Sequence, residues 1–145
     1  MITIERSALV AHDAATLYSM VTDIESYPQF LPWCRAIRVH ESRDDYVRAT
    51  IEIDYRGVKQ AFTTENINSR HDSVSMRLID VPFKSLRGQW RYRNLKPGAC
   101  KVELTMQYEF ASPLLSRLVG PVFNHIGNTM VDAFIRRADE LHRES

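Results

Sequence analysis

The sequence predicts an α+β fold in which one curved antiparallel sheet wraps around a single long C-terminal helix. Three observations carry this. From about residue 35 to about residue 110 apolar side chains recur with period two, and turn signals fall at roughly ten-residue intervals, the pattern of an antiparallel meander. From Ser112-Pro113 onward they recur at helical spacing as far as Leu141. Before the meander stands Tyr27-Pro28-Gln29-Phe30-Leu31-Pro32-Trp33-Cys34, with three aromatics, a leucine and two prolines in eight residues. Two prolines forbid a regular helix or a central strand through this stretch, so it is a stiff, irregular connector. Its apolar surface must be covered by the core, a ligand or a partner, and a plug over one end of the core is the simplest cover.

The elements follow in order. Residues 2–10 read as a strand, and Asp13 as the N-cap of a helical stretch carrying Leu17, Met20, Val21 and Ile24. In the meander, Val47, Ala49, Ile51, Ile53 and Tyr55 share one face, continued by Val58, Phe62 and Thr64. A two-residue turn at Arg56-Gly57 pairs 55 with 58, 53 with 60 and 51 with 62, which keeps that face together. The same register sets Asp54 opposite Lys59 and Arg48 opposite Glu65, opposite charges meeting twice. Val74, Met76 and Leu78 form a further alternating strand. In the last hairpin Leu86, Trp90 and Tyr92 face Val102, Leu104, Met106, Tyr108 and Phe110, all at even positions. Even-to-even pairing requires a bulge or an odd-length connection such as Pro97-Gly98-Ala99, which would set Arg93 opposite Glu103 and Arg87 opposite Glu109. Ser112-Pro113 is a capping side chain followed by proline at the first helical position. The stripe Leu115, Leu118, Val119, Val122, Phe123, Ile126, Met130, Ala133, Phe134, Ala138 and Leu141 follows, with Gly120-Pro121 expected to bend the helix.

The chain of 145 residues is expected to form one domain, 1–145, able to bury a core without staples. Its 44% hydrophobic and 26% charged residues are ordinary for a soluble protein, and a net charge of +1 speaks against a dedicated nucleic-acid binder. Cys34 and Cys100 without a CxxC pair suggest a reducing compartment. The N-terminus resembles no signal or transit peptide, and no apolar run approaches the roughly 20 residues that span a bilayer.

No catalytic pattern stands out. The glycines form neither a phosphate-binding loop nor a dinucleotide fingerprint, and no GxSxG elbow is present. His12, His40, His71, His125 and His142 are scattered, without metal-ligand spacing. Cys34 would be nucleophilic only beside a base; a buried inert thiol is the commoner arrangement. Arg35, Arg38, Arg43, Arg87, Arg91 and Arg93 make a basic contribution from the sheet, explained either by the acids opposite some of them or by a phosphate-binding surface.

The connector Tyr27–Cys34, the segment Phe83-Lys84-Ser85-Leu86-Arg87-Gly88-Gln89-Trp90 and the helix residues Met130-Val131-Asp132-Ala133-Phe134 and Arg137-Ala138 carry a resemblance. In element order the chain resembles the helix-grip fold of START-like, Bet v 1-like lipid-binding domains. Within it, the chain is similar to the coenzyme Q-binding START-domain family, over nearly its whole length. That resemblance implies a non-enzymatic bacterial protein; with the residue patterns above, the expectation is a cytoplasmic protein with no cofactor and no DNA partner. Two functions follow from it. One is binding of ubiquinone or another isoprenoid lipid in support of respiration, with transient contact with a membrane surface. The alternative is that of the family's ribosome association toxins, binding the large ribosomal subunit so that the small one cannot join.

The lipid reading agrees with an inner sheet face wider than one helix covers, and assigns a pocket. Tyr27, Phe30, Leu31 and Trp33 would gate its mouth. Phe62, Trp90, Tyr92, Leu104, Met106 and Tyr108 would form the sheet wall, and Val122, Phe123, Ile126 and Met130 the helix wall. Gly127 would leave room for a lipid chain, and Gln60 or a tyrosine hydroxyl would meet a quinone oxygen. Core packing accounts for each of these residues equally well.

Overall fold

The computed structural model describes residues 2–70, 72–79 and 83–144; His71 lies outside them. The order is β1 (Ile2–Val10), α1 (Ala14–Thr22), a 3-10 helix (Ile24–Gln29), β2 (Cys34–Arg43), β3 (Tyr46–Tyr55), β4 (Val58–Ser69), β5 (Ser73–Leu78), β6 (Phe83–Lys96), β7 (Ala99–Phe110) and α2 (Pro113–Glu144). The strands form one antiparallel sheet ordered β1-β7-β6-β5-β4-β3-β2, so the meander is continuous and β1 returns to pair with β7. The sheet curves around α2, which packs on β1, β4, β7 and α1.

Period-two patterning produces a strict division of faces. Along β7, Cys100, Val102, Leu104, Met106, Tyr108 and Phe110 are buried, while Glu103, Thr105 and Gln107 between them are exposed. The inward face of α2 supplies Val119, Val122, Phe123, Ile126, Phe134 and Ala138. Leu118, expected in that stripe, is 58% exposed. Val119 and Val122 take the inward positions of that turn, and a residue one place round a helix points about 100° away. Leu141, also expected to be covered, is exposed as well. The helix runs unbroken through Pro121 and starts as expected, Ser112 Oγ accepting from Leu115 N–H at 3.2 Å.

The β3–β4 hairpin has the predicted register at every pair, including Asp54 opposite Lys59 and Arg48 opposite Glu65. Its two-residue turn places Arg56 at φ 52° and Gly57 at φ 82°, both left-handed, as the twist of a tight hairpin demands. The β6–β7 hairpin differs from expectation. Its even-to-even faces are preserved, with Trp90 opposite Leu104 and Tyr92 opposite Val102, but the pairs are shifted by two residues. Asn94 pairs with Cys100 and Lys96 with Ala99, leaving Leu95 as a bulge ahead of a two-residue turn. Arg93 therefore faces Lys101, not Glu103, and Arg87 faces Gln107, not Glu109.

That bulge is tied to the start of α1. Asp13 occupies the N-cap position but makes no side-chain bond to its own helix. Its Oδ1 instead accepts from Gly98 N–H in the hairpin turn at 2.8 Å, and Asn94 Oδ1 accepts from Ala14 N–H at 3.0 Å. Each segment thus satisfies a backbone donor of the other. Asn94→Ala is expected to lower the unfolding free energy by about 0.5–2 kcal/mol, read from urea denaturation, as loss of a helix cap does. An unchanged midpoint would show that this long-range cap contributes nothing.

Candidate functional site

The connector closes the end of the helix–sheet interior. Its first half forms the 3-10 helix through Pro28, and Leu31 N–H donates to Tyr27 C=O at 2.9 Å. Asp54 N–H donates to Trp33 C=O at 3.1 Å, fastening the connector to the end of β3. Tyr27, Leu31, Trp33 and Cys34 are buried. Tyr27 donates its hydroxyl to Val21 C=O, and burial raises that hydroxyl's pKa above the ordinary phenol value. The rings of Tyr27 and Phe30 meet Phe134 edge-on at centroid distances of 5.4 and 5.2 Å, and Trp90 meets Phe134 at 5.3 Å. Four aromatic rings from connector, sheet and α2 therefore interlock, each good pair contributing about 0.5–1.5 kcal/mol beyond its buried area.

The residues assigned to the pocket walls meet one another. Tyr108 and Phe123 rings lie 4.7 Å apart, and Phe62 approaches Phe123 at 6.1 Å. Trp90, Tyr108, Phe123, Leu104 and Ile126 are fully buried, with Met106, Tyr92 and Val122 close behind; Met130 is half-buried. The room expected beside Gly127 is taken: a Cβ there would lie 2.5 Å from Ile4 Cδ1 and 3.7 Å from Met106 Sδ. Gln60 lies two residues before Phe62 on β4. It is half-buried opposite Ile53 and lines a separate cleft of about 230 Å³ with Arg35, Glu52, Asp54 and Lys59.

An open cleft of about 310 Å³ does lie against the connector, lined by Phe30, Pro32 and Trp33. Its other wall is a stripe of α2 that sequence reasoning did not assign to a site: His125, Thr129, Ala133, Arg136, Arg137 and Glu140. Their spacing is helical, but mixed polarity concealed the stripe. Arg137 lies over the Phe30 ring at 5.6 Å and pairs with Glu140 at 3.4 Å, and His125 stacks on Tyr55 at 5.8 Å. Arg136 is exposed and makes no ion pair with a described residue.

Two buried groups bear on chemistry. Burial, with Glu52 nearby, pushes the Cys34 thiol up to about 11, and burial raises Cys100 in the same direction. Neither sulfur is a thiolate at neutral pH, the form that attacks or ligates. The Tyr92 hydroxyl finds no hydrogen-bond partner among the described residues, and burial, with Tyr27, Cys100 and Tyr18 around it, raises its pKa.

Residues 10–135 match the family described as polyketide cyclase / dehydrase and lipid transport. The chain belongs to that family. It is 40% identical over 139 residues to the ribosome association toxin RatA of Pseudomonas aeruginosa, covering 96% of each chain, and 38% identical to RatA of Escherichia coli, covering 96% of this chain and 88% of that one. A more distant relative, the mitochondrial coenzyme Q-binding protein COQ10 homolog B of Xenopus laevis, is 24% identical over 94% of this chain and 57% of its own length. Among solved structures, a START superfamily protein from Mycobacterium smegmatis superimposes with a TM-score of 0.76 at 19% identity, covering 96% of this chain and 98% of that one. The Zhui aromatase/cyclase from Streptomyces sp. R1128 gives 0.81 at 15% identity, covering 95% and 93%. The expected helix-grip fold is thereby established for this family member.

Gly127 offers a direct test of how full the interior is. Gly127→Ala is expected to lower the unfolding free energy by about 1–3 kcal/mol, because the new methyl must displace Ile4. Adding Ile4→Val, which removes the obstructing Cδ1, should recover part of that loss. Stabilisation by the single substitution, as helix propensity alone would give, would mean that the space beside Gly127 is open.

Proposed function

We propose that this protein binds the large ribosomal subunit and hinders its joining with the small one, acting by occupancy and not by chemistry. The observation that carries the reading is the 38–40% identity to proteins named ribosome association toxin, spread over 96% of this chain. The geometry is in accord with it. The side chains that would have walled a deep lipid cavity pack on each other, and the two thiols are held protonated. Such a function places the protein in the bacterial cytoplasm.

Sucrose-gradient sedimentation of ribosomes with added protein tests this. Free subunits should accumulate in proportion to the protein added, with the protein co-migrating with the large subunit. Unchanged 70S particles would remove the reading.

A second reading, binding of ubiquinone or a related isoprenoid, is favoured by the Tyr92 hydroxyl, unpartnered among the described residues, and by the cleft beside Trp33. The cleft stands at the low end of the roughly 300–1,000 Å³ of ligand pockets, room for a ring-sized head group. Tyr92 is not among its lining residues, so a quinone would have to reach the hydroxyl by separating connector and core. Tyr92→Phe separates the possibilities. With no ligand, removing an unsatisfied buried hydroxyl should leave stability unchanged or raise it by up to about 1–3 kcal/mol. If a quinone meets that hydroxyl, the variant should lose the quinone that mass spectrometry detects in extracts of the parent protein.

A further inference from the structure

The outward face of β5, β6 and β7 carries Arg77, Arg87, Arg91, Arg93 and Lys101, against Glu103 and Glu109. The acids are already engaged. Lys101 pairs with Glu103 at 3.5 Å and Lys84 with Glu109 at 3.7 Å, while Arg77 is held by Glu65 of β4 at 2.6 Å. Arg87, Arg91 and Arg93 make no ion pair with any described residue. The two-residue shift of the hairpin sets Arg93 against Lys101 and Arg87 against Gln107; Arg91 stands opposite Glu103, whose carboxylate is taken by Lys101.

On its other side Arg87 stands directly opposite Arg77, a like charge whose own partner is Glu65. Between the arginines the floor is uncharged and rich in hydrogen-bonding groups: Ser75, Gln89, Thr105 and Gln107 line a shallow depression of about 400 Å³ together with Arg77 and Arg87. At about 3.4 Å per residue, the row from Arg87 to Arg93 is roughly 20 Å long on a rigid strand. Guanidinium groups on such a row suit successive phosphates, and amides and hydroxyls beside them suit ribose 2′-hydroxyls.

We propose that the row Arg87, Arg91 and Arg93, flanked by Arg77, grips the phosphate backbone of structured RNA. The proposal rests on the ribosome-binding reading and names the surface through which that binding occurs. The net charge of +1 does not oppose it, because the cations are gathered on one face.

The test uses the full chain carrying Arg87→Gln, Arg91→Gln and Arg93→Gln, with deproteinised large-subunit RNA and intact large subunits as separate probes. A control carries Arg70→Gln, Arg117→Gln and Arg143→Gln, which removes equal charge from exposed positions off this face. The triple variant is expected to bind the RNA about tenfold or more weakly, with the slope of log affinity against log salt reduced by about 2–3, some 0.7–0.9 for each phosphate no longer neutralised. The control should stay within about twofold of the parent. Unchanged RNA affinity and slope in the triple variant, or an equal loss in the control, would overturn the surface. If the triple variant fails to fold, Arg87→Gln alone should still reduce the slope by about 0.7–0.9, and an unchanged slope overturns the surface. If the parent binds RNA through this row but never large subunits, the ribosomal reading falls and the surface stands. If subunits take the triple variant as well as the parent, the surface falls and the reading stands. Arginine-dependent capture by phosphatidylglycerol vesicles without RNA binding would overturn the proposal in favour of a membrane surface.

Discussion

One extra residue in a strand, Leu95, organises much of this molecule. The bulge it makes between Asn94 and Lys96 sets the register of β6 on β7 at the hairpin end. It brings Asn94 to the first amide of α1 and leaves Gly98 N–H facing Asp13, so that hairpin and helix start satisfy one another. It also determines which charges stand side by side on the outer face. Register in a sheet is a collective property: a slip moves every pair at once, so a single bulge fixes both the packing inside and the electrostatics outside.

This explains where the sequence was legible and where it was not. The β3–β4 hairpin could be read to the residue because a two-residue turn at Arg56-Gly57 leaves no freedom, and both the apolar face and the charge pairs agree with it. In β6–β7 the apolar faces are equally clear, but a shift of two residues leaves parity untouched. The only local discriminant was charge pairing, and it favoured the wrong register. Opposite-charge pairs contribute only about 0.2–1 kcal/mol each, too little to decide a register by themselves. The bonds that tie down the observed register join residues some 80 positions apart, and no local pattern displays them.

The candidate pocket divides in the same way. The proline-aromatic connector announced itself as a cover for apolar surface, and it is one: Tyr27 and Phe30 lock onto Phe134 from α2. Gly127 was misread because its neighbour is Ile4, a β1 residue from the other end of the chain that occupies the room glycine leaves. The stripe of α2 along the open cleft was missed because His125, Thr129, Arg136 and Glu140 give it no apolar periodicity to read.

A fold whose relatives include lipid-transport and cyclase proteins invites a search for function inside the grip between sheet and helix. Here the aromatic interlock of Tyr27, Phe30, Trp90 and Phe134 works against that, because opening the interior would break several ring contacts at once. Inside, Tyr108 and Phe62 of the sheet meet Phe123 of α2, so the sheet is backed by packed side chains. Stiffness is an asset for recognising a large rigid partner, since side chains held on a packed sheet lose less freedom on binding than those on a mobile loop. A like-charge pair such as Arg77 opposite Arg87 makes physical sense on such a sheet. In the free protein Glu65 holds Arg77 at 2.6 Å and leaves Arg87 without an acid, so a polyanion bound as proposed would supply the counter-charge that the fold itself gives only to Arg77.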